Sequence, residues 1–276
     1  MHLRVESTLV ALIDQALKIG VDFFQCFLTQ KTIGRVLPLD KEDVKAFLQL
    51  RREHFENVYL HVSYWVNLAS VKPNSHYLLR QELRLAKELE FTHVLFHAGS
   101  AKGAKRKIEG IDALARMVNR LIKYESEVKI VLENLAQGPP SVGGSFGDFR
   151  LLLEKIDKPE RLSFCIDTGH AYAYGYDIAN VKMQNEFIDL VDKSISLDRV
   201  ALIHLNNTME ELGSKVDQHE RLAEGKISLD ALKHFIFNPR LCNIPLLLEP
   251  VPMPEEELKK EFDMVVGWQR DFEKAK

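Results

Sequence analysis

Apolar residues along this chain gather in short runs that return about every 35 residues. Six runs have strand character: 57–62 (Asn-Val-Tyr-Leu-His-Val), 92–97 (Thr-His-Val-Leu-Phe-His), 128–133 (Val-Lys-Ile-Val-Leu-Glu), 162–167 (Leu-Ser-Phe-Cys-Ile-Asp), 199–205 (Arg-Val-Ala-Leu-Ile-His-Leu) and 244–249 (Ile-Pro-Leu-Leu-Leu-Glu). Residues 23–28 and a stub at 2–5 bring the expected strands to eight. Between them the apolar positions follow a helical period, as at 41–54, 78–89, 110–124 and 229–237. Ser7 or Thr8 caps a helix that runs to Lys18 and closes at Gly20. Short buried strands alternating with helices imply right-handed βαβ units and a parallel sheet. Eight such units in 276 residues imply a closed (β/α)8 TIM barrel. An open doubly wound sheet fits less well, because no glycine-rich phosphate fingerprint follows the first strand.

No linker or low-complexity tract divides the chain, so residues 1–276 are expected to form one domain whose first strand is short. The one Gly/Pro-rich loop, 136–147, follows a strand and so belongs to the rim where barrel chemistry is built. The charged segment from Glu255 to Lys276 is expected to pack outside the barrel. Cys26, Cys165 and Cys242 are odd in number and widely spaced, which argues for free thiols in a reducing compartment. No run suits a bilayer span and no signal-peptide pattern opens the chain, so the expected location is the cytoplasm. A net charge of −3 gives the whole protein no electrostatic reason to seek nucleic acid. A nucleic-acid partner would need a local basic patch or bound cations.

The exits of the strands change the picture. The run at 57–62 offers His61, the next His97, the next Glu133. Then come Asp167 with His170, His204 with Asp217 and His219 farther along its loop, and finally Glu249. One imidazole or carboxylate at a strand tip is ordinary; nine on one rim are not. Mixed imidazoles and carboxylates suit zinc or manganese rather than calcium. Nine ligands exceed what one tetrahedral ion can use, and Glu133 is central enough in strand order to bridge two. Clustered cations imply metal-assisted hydrolysis, and they would supply the positive potential that the net charge lacks.

With these blocks in hand, the sequence resembles the endonuclease IV family of apurinic/apyrimidinic endonucleases. The resemblance is carried by His61-Val-Ser-Tyr-Trp-Val-Asn-Leu-Ala69, Phe96-His-Ala-Gly-Ser100 and Val131-Leu-Glu-Asn-Leu-Ala136. Cys165-Ile-Asp-Thr-Gly-His-Ala-Tyr-Ala-Tyr-Gly-Tyr-Asp177, His204-Leu-Asn206, Asp217-Gln-His-Glu-Arg-Leu-Ala-Glu-Gly225 and Ile244-Pro-Leu-Leu-Leu-Glu249 complete it. It implies three zinc ions per chain, with manganese an alternative occupant of one site. His61, His97 and Glu133 would hold the first; Glu133, Asp167, His204 and Glu249 the second; His170, Asp217 and His219 the third. Gly169 would let the chain turn sharply enough for Asp167 and His170 to serve different ions. The implied reaction hydrolyses the phosphodiester 5′ to an abasic site, in base excision repair. Water activated at the metals and oriented by the catalytic carboxylates Glu249 or Glu133 would attack in line. Tyr64 with Trp65 would distort the duplex, and Lys31 and Arg35 on the polar 29–35 loop would contact it. The implied partner is double-stranded DNA with abasic sites, met by a monomer associated with the nucleoid while acting, and no membrane.

The chain departs from the family at its start. The usual Gly-x-His-x-Ser is reduced to His2-Leu-Arg-Val-Glu-Ser-Thr, and Asn207 stands where an Asp often follows His-Leu-Asn. One rival is a single-metal sugar isomerase or epimerase on the same barrel, which Glu133, Asp167, His204 and Glu249 could also serve. That rival has no use for His61, His97 and the Asp217-x-His219 pair. A second is a non-enzymatic barrel that has kept its ligands and lost productive DNA binding.

Overall fold

The computed structural model describes residues 1–30, 32–72, 76–124 and 128–275. Eight parallel strands form one sheet in the order β1 (His2–Leu3), β2 (Phe24–Cys26), β5 (Val58–His61), β6 (His93–His97), β7 (Lys129–Glu133), β8 (Leu162–Asp167), β9 (Val200–His204), β10 (Leu246–Leu247). A backbone hydrogen bond from His2 N to Leu248 O (2.7 Å) joins the first strand to the last and closes a TIM barrel. The helices α1 (Leu9–Ile19), α2 (Lys41–His54), α3 (Tyr77–Glu88), α4 (Lys107–Tyr124), α5 (Phe146–Leu153), α6 (Thr168–Tyr174), α7 (Val181–Ile195), α8 (Leu229–Ile236) and α9 (Glu255–Ala275) follow in chain order. Among the described residues no helix is long and apolar enough to cross a membrane.

Local chemistry explains the boundaries. Thr8 accepts a hydrogen bond from Ala11 N (3.0 Å) and starts α1, whose Leu9, Leu12, Ile13, Ala16 and Ile19 are buried at helical spacing. The helix ends at Gly20, whose φ of +89° is a left-handed turn that a side chain resists. Asp40 opens α2 by accepting from Glu42 N and Asp43 N.

Two differences from the sequence reading bear on the rim. The 29–35 loop contains a small antiparallel hairpin, β3 (Thr29–Gln30) with β4 (Arg35–Val36), closed by Gly34 N donating to Gln30 O (2.9 Å). Arms of two residues are too short for a periodic pattern to show. The second difference lies after β8. Helix α6 starts at once with Thr168, and Asp167 caps it by accepting from His170 N (2.7 Å). Gly169 is therefore helical, without a left-handed φ, and the direction of His170 comes from one turn of helix rather than a sharp turn at glycine.

The barrel has two apolar regions. The larger lies between sheet and helices. The smaller fills the interior with Tyr59, Leu95, Val131, Cys165, Leu202 and Leu247. Side chains alternate along a strand, so the next inward position on each of these six lies two residues farther on. Those positions are His61, His97, Glu133, Asp167, His204 and Glu249. The apolar layer is thus a floor, and the polar layer stands on it at the carboxyl end of the barrel.

Candidate metal centre

Glu133 is at the middle of this layer and has no exposed surface. Its Oε2 lies 3.2 Å from Nε2 of His61 and 3.2 Å from Nε2 of His97. Its Oε1 faces the other way, 3.0 Å from Nδ1 of His204. The two oxygens address different groups of imidazoles, which is the geometry of a bridging carboxylate. Asp167 and Glu249 each give only one oxygen to the centre. Oδ1 of Asp167 caps α6, leaving Oδ2 3.8 Å from His204 Nδ1 and 3.5 Å from His219 Nε2. Oε2 of Glu249 lies 3.2 Å from His204 Nδ1, while its Oε1 is taken up by His2 and Gln25.

The imidazoles are aimed by their outer nitrogens. His61 Nδ1 lies 2.9 Å from the carbonyl of Val62, and His170 Nδ1 lies 2.9 Å from the carbonyl of Asn134. A carbonyl only accepts, so each of these nitrogens carries the proton and leaves Nε2 free for a cation. The ring of His204 is turned the opposite way: Nε2 meets Gln25 Oε1 at 3.2 Å, and Nδ1 faces the carboxylates.

Ligand-type atoms fall into three groups, each within 4.8 Å: His61, His97 and Glu133; Glu133, Asp167, His204 and Glu249; and Asp167, His170 and His219. Asp217 adjoins the third group, its Oδ1 2.9 Å from His170 Nε2 and 4.0 Å from His219 Nε2. The nine residues expected from sequence are therefore brought to one place. Asp167 is held in the third group because it caps the helix that carries His170. Asp217 reaches the same ring from the loop after β9.

Electrostatics fit a cation-binding site. Burial alone would push the Glu133 carboxyl up, but the imidazoles of His204, His97 and His170 hold it well below the usual carboxylate range. Glu249, with 10% of its side chain exposed, is likewise held well below that range by His204 and His2. For His170, burial works against the charged ring, yet Asp167 and Asp217 raise it well above an ordinary histidine. These carboxylates sit in a buried mouth as anions and need positive charge beside them. The carboxylates and imidazoles, three of the rings already oriented by outer partners, suit bound divalent metal on donor chemistry.

The loop carrying Asp217 and His219 is stapled by Asn207. Its amide donates to Leu222 O (2.8 Å) and Ile227 O (2.7 Å), and its Oδ1 accepts from Ile227 N (3.0 Å). A Cβ on Gly225 would come 2.2 Å from the Asn207 side chain, so the loop closes only with glycine there.

A cavity of about 1010 Å³ opens over the centre, walled by residues that include Phe27, Tyr64, Trp65, His219 and Glu249. Tyr64 is exposed, and its ring centroid lies 5.2 Å from that of His97. Trp65 is exposed and packs against Gly34 of the hairpin. Arg35 is exposed on β4 and is not part of this wall; Lys31 lies outside the described residues. Sequence reasoning set His2 aside, missed Gln25 and gave Arg4 no role, yet all three belong here. His2 and Gln25 touch Glu249, and Arg4 lines the cavity. The available signal was that His2 and Arg4 lie in the shortened start, His2-Leu-Arg-Val-Glu-Ser-Thr. Gln25 left none, as an amide inside an apolar run.

A TIM barrel with imidazoles and carboxylates clustered at the carboxyl ends of its strands is a metal-centre barrel of the xylose isomerase-like class. Within that class, residues 13–268 match the model of the AP endonuclease 2 family, described as a xylose isomerase-like TIM barrel, and the chain belongs to this family. A protein of Methanosphaera stadtmanae called probable endonuclease 4 is 33% identical over 273 residues, covering 96% of this chain and 97% of the relative. The crystal structure of endonuclease IV from Thermus thermophilus superposes with a TM-score of 0.84 at 29% identity, covering 98% of each chain. A D-tagatose 3-epimerase-like protein gives a TM-score of 0.72 at 15% identity over 99% of this chain, a likeness of fold alone.

Proposed function

We propose that this chain is a zinc-dependent AP endonuclease that hydrolyses the DNA phosphodiester 5′ to an abasic site. The observation that carries the reading is the split of Glu133 between two sets of imidazoles, inside a cluster larger than a single-metal isomerase needs. The endonuclease names of the relatives support the same reading. Three zinc ions are expected per chain. His61, His97 and Glu133 would hold one; Glu133, Asp167, His204 and Glu249 another; His170, Asp217 and His219 the last. Held there, divalent metal would supply activation of water and positive charge for the phosphate oxygens and the leaving 3′ oxygen.

The chain's own residues do the rest. Glu249 or Glu133, both held as carboxylates, would orient the attacking water. The dry floor of Tyr59, Leu95, Val131, Cys165, Leu202 and Leu247 keeps the polar layer in a low-dielectric setting, where each charge acts strongly. Tyr64 and Trp65 stand exposed on the cavity wall, where flat rings can press into a base stack and favour an extruded nucleotide. Arg35, exposed on β4, and Lys31 would contact the DNA backbone. All nine candidate ligands come from one chain, so the reading needs only a monomer, acting on DNA in the cytoplasm.

The test is a duplex oligonucleotide carrying one tetrahydrofuran abasic analogue, incubated with zinc-loaded protein. Nicking 5′ to the lesion is expected, and an intact strand would refute the reading. Glu249→Gln should abolish nicking while the circular dichroism spectrum stays that of the parent; retained activity would remove Glu249 from its role.

A further inference from the structure

Six of the inward side chains at the carboxyl end are ligand types, but β2 places an amide there. Phe23 belongs to the apolar floor, and Gln25 is the next inward residue, with no exposed surface. Both ends of the amide find their partners inside the centre. Its Nε2 lies 2.7 Å from Glu249 Oε1 and 2.8 Å from His2 Nδ1, and its Oε1 lies 3.2 Å from His204 Nε2. Only this orientation of the amide is chemically consistent, because a carboxylate needs the donor end and the outer N–H of His204 needs the acceptor end. His2 Nδ1 accepts from the second N–H of that amide and so steadies it; the same nitrogen lies 3.0 Å from Glu249 Oε1 and cannot donate there while it accepts from Gln25, which leaves the amide as the donor to this oxygen.

We infer that Gln25, assisted by His2, is a positioning residue that fixes how Glu249 and His204 present themselves to metal. The inference rests on the proposed metal-dependent reading. By donating to Oε1, the amide, itself steadied by His2, leaves only Oε2 of Glu249 facing His204 Nδ1 (3.2 Å), which makes the carboxylate a one-oxygen ligand. By accepting from Nε2, Gln25 holds His204 in the tautomer whose free nitrogen is Nδ1. One amide thus sets two ligands of the same ion, those contributed by the last two barrel strands. A buried amide that served packing alone would not need carboxylate and imidazole partners on opposite ends. Asn206 supports the same carboxylate from the other side, its Nδ2 lying 3.2 Å from Glu249 Oε2 and its Oδ1 accepting from Glu249 N (3.0 Å).

The experiment compares zinc retention in the full-length parent, Gln25→Met and His2→Ala during timed exposure to a chelator. Methionine keeps the length of the side chain and removes both polar ends. Gln25→Met should lose one ion of three about 10–100-fold more readily than the parent, while the other two stay. His2→Ala, which keeps the amide, should show a smaller loss of the same ion. On the abasic duplex the defect should fall in kcat, with KM little changed. Three ions retained with parental chelator resistance in both variants would overturn the inference. Should Gln25→Met fail to fold, His2→Ala decides alone: selective loss of one ion upholds the clamp, and parental retention overturns it. Parent protein that holds no zinc or does not nick would instead overturn the functional reading itself.

Discussion

At the residue scale, Glu133 and Arg4 make opposite contributions to the mouth of the barrel. Glu133 touches His61 and His97 through one oxygen and His204 through the other. Replacing it by alanine should therefore release two ions, whereas His97→Ala should release one; metal analysis of the purified variants checks the difference, and equal losses would refute the bridging role. Arg4 is the single arginine or lysine among the described residues lining the cavity, which also presents Asp217 and Glu249. Its guanidinium is free to meet a phosphate oxygen, since no hydrogen bond or ion pair ties it down among the described residues. Arg4→Ala should raise KM for the abasic duplex several-fold and flatten the slope of log affinity against log salt by about 0.9, the effect of one lost phosphate contact. An unchanged slope would assign Arg4 to bulk solvent.

At the element scale, much of the architecture was legible because burial imposes a period. The strands at 93–97, 129–133 and 162–167 lie within the expected runs, and α2 spans the same residues, 41–54. Six of the nine candidate ligands were legible for the same reason: His61, His97, Glu133, Asp167, His204 and Glu249 stand at or beside the end of an apolar run, while His170, Asp217 and His219 lie on the segments that follow. What could not be read depends on contacts between elements. The β3–β4 hairpin has two-residue arms, and the polar network of Gln25 exists only once the first and last strands meet. Glu82 is another such case. It faces the interior from α3, wholly buried, and its Oε1 accepts from Thr29 Oγ1 (2.7 Å) and Ser63 N (3.1 Å). It thereby ties the hairpin to the loop that carries Tyr64 and Trp65. Burial pushes its carboxyl up to about 7, against the pull of those two donors. A carboxyl raised in the folded state costs nothing while protonated, below the unfolded value of 4.5. The cost grows as pH rises towards 7 and is then complete, at roughly 3 kcal/mol. Glutamine keeps the acceptor oxygen without the charge. Relative to the parent, Glu82→Gln should therefore gain up to roughly 3 kcal/mol of stability between pH 4 and 8. Urea unfolding at both pH values measures this, and a difference independent of pH would show that Glu82 is not ionised on this scale.

For the whole molecule the question is how a protein of net charge −3 holds a polyanion. The mouth of the barrel gathers Glu133, Asp167, Asp217 and Glu249, whose negative charge falls to the neighbouring imidazoles to offset when no metal is bound. Bound divalent ions would add positive potential just where the backbone must approach. The same ions bind the folded barrel far better than the unfolded chain, because the three groups are assembled from six different strand ends and their loops. Metal binding is therefore linked to both stability and affinity. An ion present at a thousand times its dissociation constant adds about 4 kcal/mol to the folded state, and in a chain of this size that shifts the thermal midpoint by roughly 8–16 °C. Stripping the bound metal with a chelator should lower the midpoint by at least this much. It should also weaken binding to abasic and undamaged duplex alike, since the lost attraction acts on phosphate rather than on the lesion. Calorimetry with and without chelator, paired with fluorescence anisotropy on both duplexes, tests the link. A metal-free protein that melts at the same temperature and binds DNA as tightly would show that the carboxylates are neutralised by some other means.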